Sequence, residues 1–417
     1  MRNKKFLFFK DKTAFIQYLY IYVMMSSAGM ALPSYMGNDN FIILVLLMGI
    51  FYVFFKPSAQ RLQNSYLTFI GAFFMSMLLI VASSTLSIGT TFSITSILLI
   101  VYASFKIDAQ HYIQRLIKLI YYIALISIII FAITKTLGFG VSAVLYPFLY
   151  PSFSQDEIYS YGGFVYRFVF LHSDRNCGPF GEPGQYQCVL SVALYFVLFR
   201  SYLFPEKERF RYLLVFFVAL FTTLSTSGYI AMAIIIVCFL LQSKHHKVDR
   251  RMKYLFWIMF ICSIFFFSYT DLGQDFMNTA VYDKIYEEGQ VDFSNKSGRA
   301  RTESIAGVLM TIENNPATLW GVGYDRLNDM GLDGCAGLLF LLLAIGVVPY
   351  SILFGFSFYQ VLKHNRGIWD SLVRILLVVN MGLGQPHIMN FALFTMMFYP
   401  YFIENKKVNK SFYVGNS

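Results

Sequence analysis

The sequence predicts an all-α polytopic membrane protein, and three observations carry that reading. Of its 417 residues, 57% are hydrophobic and only 13% charged, well below the ~25% charge of an ordinary soluble domain. Apolar runs long enough to be read as membrane-spanning helices recur along the whole chain. The basic residues fall in short clusters between those runs and not in one patch, which is a topology signal before it is a binding signal. Forty-five Phe and 30 Tyr bring the aromatic share to 19%, and such rings favour lipid and interfacial positions.

The first half offers five spans, near Ala14–Leu32, Phe41–Phe55, Tyr66–Ser83, Thr91–Phe105 and Leu119–Thr136. The second half adds Gln185–Phe199, Tyr212–Leu224, Gly228–Leu241, Tyr254–Tyr269, Cys335–Tyr359, Leu372–Leu383 and Ile388–Phe402. The expected total is about twelve. The first run follows Arg2, Lys4 and Lys5, as a signal peptide would, but it is long enough to span and is read as a helix that stays.

Orientation comes from the cations. Placing the spans alternately puts 25 of the 33 Lys and Arg on one side, including both termini, and 8 on the other. The positive-inside bias therefore predicts two cytoplasmic termini. The acids run the opposite way, with 16 of 23 outside. The net charge of +10 is thus an orientation device, and no nucleic-acid partner is expected.

Five segments follow. Residues 1–136 form an N-terminal five-helix membrane segment, 137–184 a first long extracytoplasmic loop and 185–269 the central membrane helices. Residues 270–334 form a large extracytoplasmic loop, and 335–417 the C-terminal membrane helices and cytoplasmic tail. Connections longer than about 15 residues are usually functional or disordered. Both loops are rich in Tyr, Gly and paired charges, so they are read as folded. Ile305, Val308, Leu309 and Ile312 have helical spacing and predict a helix over Thr302–Glu313.

The predicted spans are almost free of ionisable residues. Proton relays and ion sites need such groups within the membrane, so a proton-coupled transporter is disfavoured. Polar chemistry gathers on the outer face in three clusters. The first runs from His172 through Arg175, Gly178, Gly181, Glu182 and Pro183 to Gln185 and opens directly into a span. Its glycines and prolines make a rigid turn, and a planar guanidinium there suits a diphosphate. The same residues also read as an ordinary capping turn with solvated charges.

The second cluster is Ser297-Gly-Arg299-Ala-Arg301-Thr-Glu303. Cations at a helix N-terminus oppose the dipole, which hints at anion binding. The third is Leu319-Trp-Gly321-Val-Gly323-Tyr-Asp325-Arg326. Without a strand before it and a helix after it, Gly-x-Gly is no phosphate fingerprint. No Walker A pattern and no zinc-ligand spacing is present. No cofactor and no metal is expected. His172 and His387 fall outside or at the outer rim, where a lone His is more often structural.

Taken in order, the three clusters resemble the O-antigen polymerase and O-antigen ligase group of bacterial envelope proteins. Arg175, Gly178 and Pro183 match that group's Arg–Gly–Pro turn before a span, and Ser297, Gly298 and Arg299 its Ser-Gly-Arg element. Leu319 to Gly323 match its Gly-x-Gly element, and the resemblance covers roughly Arg167 to Tyr350. Two departures stand out. The tight reversal near Leu224 reads Ser225-Thr-Ser227-Gly228, where the group often has Ser-Arg-Gly. Before the span that follows the large loop, where ligases usually carry a His, this chain has Asp333-Gly-Cys335.

The resemblance implies a GT-C-like membrane glycosyltransferase in the bacterial cytoplasmic membrane. It would be a repeat-unit polymerase moving a growing glycan from undecaprenyl diphosphate to a hydroxyl of the next lipid-linked repeat unit. An O-antigen ligase acting on lipid A-core is the alternative, and a lipid-linked oligosaccharide flippase or transporter the second. Expected partners are the undecaprenyl-diphosphate-linked oligosaccharide, membrane lipid, and a chain-length regulator and flippase of the same pathway. Arg175, Arg299 and Arg301 would bind the diphosphate, with Arg167, Glu303 and His387 as further site candidates. Glu182 is preferred over Asp333 as the base, because its turn is the more rigid.

Overall fold

The computed structural model describes residues 12–56, 64–83, 86–138, 160–242, 296–332, 336–385 and 388–403, with scattered residues between them. Among these the protein is helical, with two short hairpins in the long loops. Four helical stretches are long and apolar enough to cross a membrane: Asn38–Phe55, Ser65–Ala82, Ile88–Ile107 and Tyr112–Leu137. Shorter apolar helices, among them Pro183–Phe199, Thr226–Gln242 and Phe391–Ile403, complete the bundle.

In the first half, α1 (Lys12–Ser26) is followed by the short α2 (Ala31–Met36), α3 (Asn38–Ile50, extended by a π-turn to Phe55), α4 (Asn64–Ser83), α5 (Ile88–Ile107) and α6 (Tyr112–Leu137). The predicted run Ala14–Leu32 breaks at Gly29, whose φ of +99° suits a residue without Cβ. Helix α5 is the hub: α1, α3 and α4 pack on it, and Ile94–Phe105 is buried without interruption. Lipid tails are as apolar as Leu, so close packing and polar links hold such helices together. Tyr66 stacks on Tyr102 at 5.3 Å, and Tyr112 Oη meets Thr395 Oγ1 at 3.0 Å.

The second half begins with α7 (Pro183–Phe199), in which every residue is buried. A helix apolar all round belongs inside a bundle. Around it pack α6, α8 (Glu206–Thr222), α9 (Thr226–Gln242) and the last helix. The chain continues with α10 (Lys296–Asn314), α11 (Tyr324–Asp329), α12 (Gly337–Ile345), α13 (Val347–Lys363), α14 (Ile368–Gly384) and α15 (Phe391–Ile403).

Three expectations change here. The Thr302–Glu313 helix exists but starts at Lys296. Lys, Arg and Ala are good helix formers and carry it through Gly298, so Arg299 and Arg301 lie within the first turns and not before them. Second, Cys335–Tyr359 is not one helix. It breaks at Gly346 (φ +82°) into α12 and α13. The cause is tertiary: Val322 N and Gly323 N donate to Leu343 O and Ala344 O at 2.9 and 3.0 Å, occupying the last carbonyls of α12. A Cβ on Gly346 would lie 2.5 Å from Trp320 O. The Gly321–Gly323 element is therefore a plug in a helix break. With nine residues, α12 is ~13 Å long, too short to span. Its first residue bonds Gln385 O at 3.1 Å, and Gly321 beside its last turn lies against Ile80 near the end of α4. It thus runs across the end of the bundle that carries the 160–182 loop.

Third, Arg200 and Arg374, two of the 25 cations counted on the side of the termini, are not solvated loop cations. Both are fully buried on the carboxylate of Asp370, itself fully buried. The helices therefore hold buried ionisable groups, and ion-coupled transport is not disfavoured on that ground. The cluster ties the end of α7 to the start of α14, at the end of the bundle opposite the long loops.

Candidate functional site

The first long loop folds onto the bundle before it enters α7. Strands β1 (Ser160–Gly162) and β2 (Arg167–Val169) pair antiparallel, with Gly162 opposite Arg167. A 3-10 turn, Phe170–His172, leads into the Gly-rich segment. This segment is tied to three separate helical elements. Asn176 N donates to Thr222 O at 2.8 Å and its amide to Ser127 Oγ on α6 at 3.2 Å. Gly181 N donates to Gly29 O at 3.0 Å, and Phe180 forms an antiparallel bridge with Met30. The rigidity inferred from glycine and proline content is thus reinforced by hydrogen bonds to α6, to α8 and to the turn after α1.

Arg175 is half-buried, and its Nε donates to the carbonyl of Thr223 at 3.0 Å. Thr223 opens the reversal between α8 and α9. The next residue, Leu224, has φ +46° and is the one non-glycine residue with positive φ among those described. A left-handed side chain costs roughly 1–2 kcal/mol, and such strain gathers at functional sites. The reversal has no Arg of its own, yet Arg175 supplies a guanidinium there from another segment.

Arg167 and Glu182 share this neighbourhood. A Cβ on Gly181 would lie 3.1 Å from Arg167 Nη1. Burial lowers the pKa of the Arg167 guanidinium. Glu182 holds the N-cap position of α7, but its side chain makes no capping bond and is exposed. The capping role weighed for it from the sequence is not the one it has. Arg175, Glu182 and Arg167 all act electrostatically on the Cys177 thiol, whose pKa burial pushes up to about 12. Cys177 is buried and carries a free thiol.

His172 belongs to the same group. Burial, then the adjacent Arg175 charge, pushes its pKa down to about 4. It is neutral near pH 7. The sequence reading set it aside as a lone interfacial His. The signal that restores it is its position three residues before Arg175, whose N donates to His172 O at 2.9 Å.

The other expected site residues lie on α10 or outside the described residues. Arg299, Arg301 and Glu303 lie in the first eight residues of α10, which packs over the 316–320 turn and α12. Asp333 and His387 lie outside the described residues. The arrangement brings together a fixed guanidinium, a second one nearby, an exposed carboxylate and a neutral imidazole. Such a group can hold an anionic leaving group and take up a proton.

Residues 212–334 match the family model described as O-Antigen ligase. The match is consistent with a member of the O-antigen polymerase and ligase family, whose members are glycosyltransferase-like enzymes with lipid-linked oligosaccharide substrates. It spans the Leu224 reversal, α10 and the Gly321–Gly323 plug, and begins after Arg175 and Glu182. No curated protein and no solved structure matches the chain.

Proposed function

We propose that this chain is a polysaccharide repeat-unit polymerase on the outer face of the bacterial cytoplasmic membrane. It transfers a growing glycan from undecaprenyl diphosphate to a hydroxyl of the next lipid-linked repeat unit. The observation that carries the reading is the docking of Arg175 on Thr223, at the strained reversal inside the O-antigen ligase match and beside Glu182. The acceptor oxygen attacks the anomeric carbon. The bond from that carbon to the diphosphate oxygen breaks, and the electron pair leaves with the lipid diphosphate. Arg175, with Arg299 and Arg301 from α10, offsets the charge that builds on the leaving group. Glu182 takes the hydroxyl proton, with Asp333 and His172 as the alternative acceptors.

A ligase acting on lipid A-core is the second reading, favoured by the match of residues 212–334 to the O-antigen ligase family. The test is purified protein supplied with lipid-linked repeat unit. A ladder of products supports the polymerase. A single transfer, seen only when lipid A-core is present, makes it a ligase. Absence of any transfer under both conditions removes both readings.

Two predictions arise here. Glu182→Gln keeps shape and most hydrogen bonds but cannot accept the proton, so the rate of chain growth falls by roughly 10²–10⁴-fold. Growth at a near-normal rate in this variant reassigns the base to His172 or Asp333. The orientation is checked with Leu171→Cys, a position 72% exposed in the first long loop. With Cys262 and Cys335 replaced by Ser, an impermeant thiol reagent should label it in intact spheroplasts, against a low background from the buried Cys177, Cys188 and Cys238. Labelling only after lysis would place this loop in the cytoplasm.

A further inference from the structure

Next to Arg175 and Glu182 runs a strip of uncharged polar groups where α7, α9 and α14 meet. Asn380 Nδ2 on α14 donates to Ser227 O on α9 at 2.9 Å. A Cβ on Gly384 would lie 2.7 Å from Ser227 Oγ, and one on Gly228 would lie 3.2 Å from Gln187 Cβ. The helices therefore approach closely only because glycines face polar side chains. At the loop-bearing tip of the strip stand two amides. Gln385 lies against Gly184, where a Cβ would fall 1.8 Å from its Nε2. Gln185 is the residue after Gly184, and its Oε1 points at Gly29, 2.2 Å from where a Cβ would be.

Both glutamines are 8% exposed, and the carbonyl oxygen of each is buried with no hydrogen-bond partner among the described residues. Leaving a buried acceptor unpaired costs roughly 1–3 kcal/mol. Two orphan acceptors, one in the first turn of α7 and one packed against that turn, call for a donor that arrives from outside. Gln385 touches the first turn of α7 and Gln185 belongs to it, so both are joined to Glu182 and the Gly181–Gly29 contact by a few bonds of chain. A carboxylate here would repel a diphosphate, whereas a neutral amide oxygen does not.

We infer that Gln185 and Gln385 form a saccharide subsite, their amide oxygens accepting hydrogen bonds from sugar hydroxyls of the lipid-linked glycan next to the transfer site. They are positioning residues, and the inference rests on the proposed transferase reading. Hydroxyl-bearing sugar supplies the missing donors, and the bound sugar is thereby held against Glu182 and the reversal. An apolar side chain of similar length removes the acceptor and leaves the packing in place.

The test uses full-length protein in detergent or nanodiscs and lipid-linked repeat unit extracted from cells lacking the protein. Gln185→Met and Gln385→Met are compared with wild type for chain growth and for melting temperature. The expected result is an increase in apparent KM of about tenfold, the loss of one or two neutral hydrogen bonds, with kcat changed by less than threefold. Varying single-repeat lipid against excess longer lipid-linked oligomer, and then the reverse, assigns the sugar to acceptor or donor. Gln385→Asn, which retains an uncharged amide acceptor, should stay within threefold of wild type for KM and covers the case of a Met variant that does not accumulate. Unchanged KM in both Met variants, with an equal or higher melting temperature, overturns the subsite. So does an Asn variant as impaired in KM as the Met one. Wild-type protein that extends no chain removes the transferase reading itself, whereas wild-type growth with unaffected Met variants removes only the subsite.

Discussion

Arg175→Ala stops chain growth while the protein still accumulates in the membrane. The guanidinium is fixed through Nε on Thr223 O, so it does not have to be ordered when charge develops on the leaving diphosphate. Removing one preorganised donor of this kind costs ~10²–10³ in rate. The structural cost is smaller. One hydrogen bond to a backbone carbonyl is lost, and a bond to a charged donor contributes roughly 1.5–3 kcal/mol. The Gly-rich turn keeps its ties through Asn176 and Gly181. Arg175→Lys separates charge from shape, since an ammonium cannot reproduce the fork. Lys should recover only a minor part of the activity. The measurements are surface-glycan length on gels and the amount of protein in the membrane fraction. Full-length glycan in Arg175→Ala cells takes this residue out of the site.

Much of this bundle was legible in the chain because each apolar run carries its own signal. The ends of α3, α4 and α5 fall within three residues of the expected spans. The single span expected over Cys335–Tyr359 failed because nothing local breaks it. Gly346 is one small residue in an apolar run, and what ends α12 is Val322 and Gly323 arriving from a segment some twenty residues earlier. Arg175 was legible from its motif, but its partner is a backbone carbonyl 48 residues on, which side-chain patterns do not record. Gln185 and Gln385 read as ordinary span boundaries. Their meaning lies in Gly29 and Gly184, which come close only in the fold. Arg200 was misread for a related reason: a cation at the end of an apolar run looks solvated until its acid is found 170 residues away, and Arg374 shares that acid from four residues along the same helix.

That acid sets the other large effect. Asp370→Asn should leave little folded protein in the membrane. The carboxylate accepts from Arg200 Nη1 and Nη2 at 2.9 and 3.0 Å, from Arg374 Nη2 at 3.1 Å and from Tyr195 Oη at 2.8 Å. It also accepts from the backbone N–H of Arg366 at 3.2 Å. Two cations around one anion leave the buried cluster net positive even in the native chain, so the single negative charge cannot be spared. Asn keeps the shape but removes that charge, leaving two guanidiniums uncompensated at zero exposure. Breaking a buried pair in this way costs ~3–5 kcal/mol, a large part of a typical total stability of ~5–15 kcal/mol. Replacing the whole cluster behaves differently, because apolar residues of similar volume need no counter-ion. Asp370→Leu combined with Arg200→Met and Arg374→Met should therefore recover much of the protein level that Asp370→Asn loses. The readout is fluorescence-detected size exclusion of tagged protein, with chain growth measured per molecule. Normal accumulation and an unchanged melting temperature in Asp370→Asn would show that the cluster does not hold α7 to α14. Loss of activity per molecule at normal protein level would instead make it part of the transfer machinery, although it lies at the end of the bundle away from Arg175.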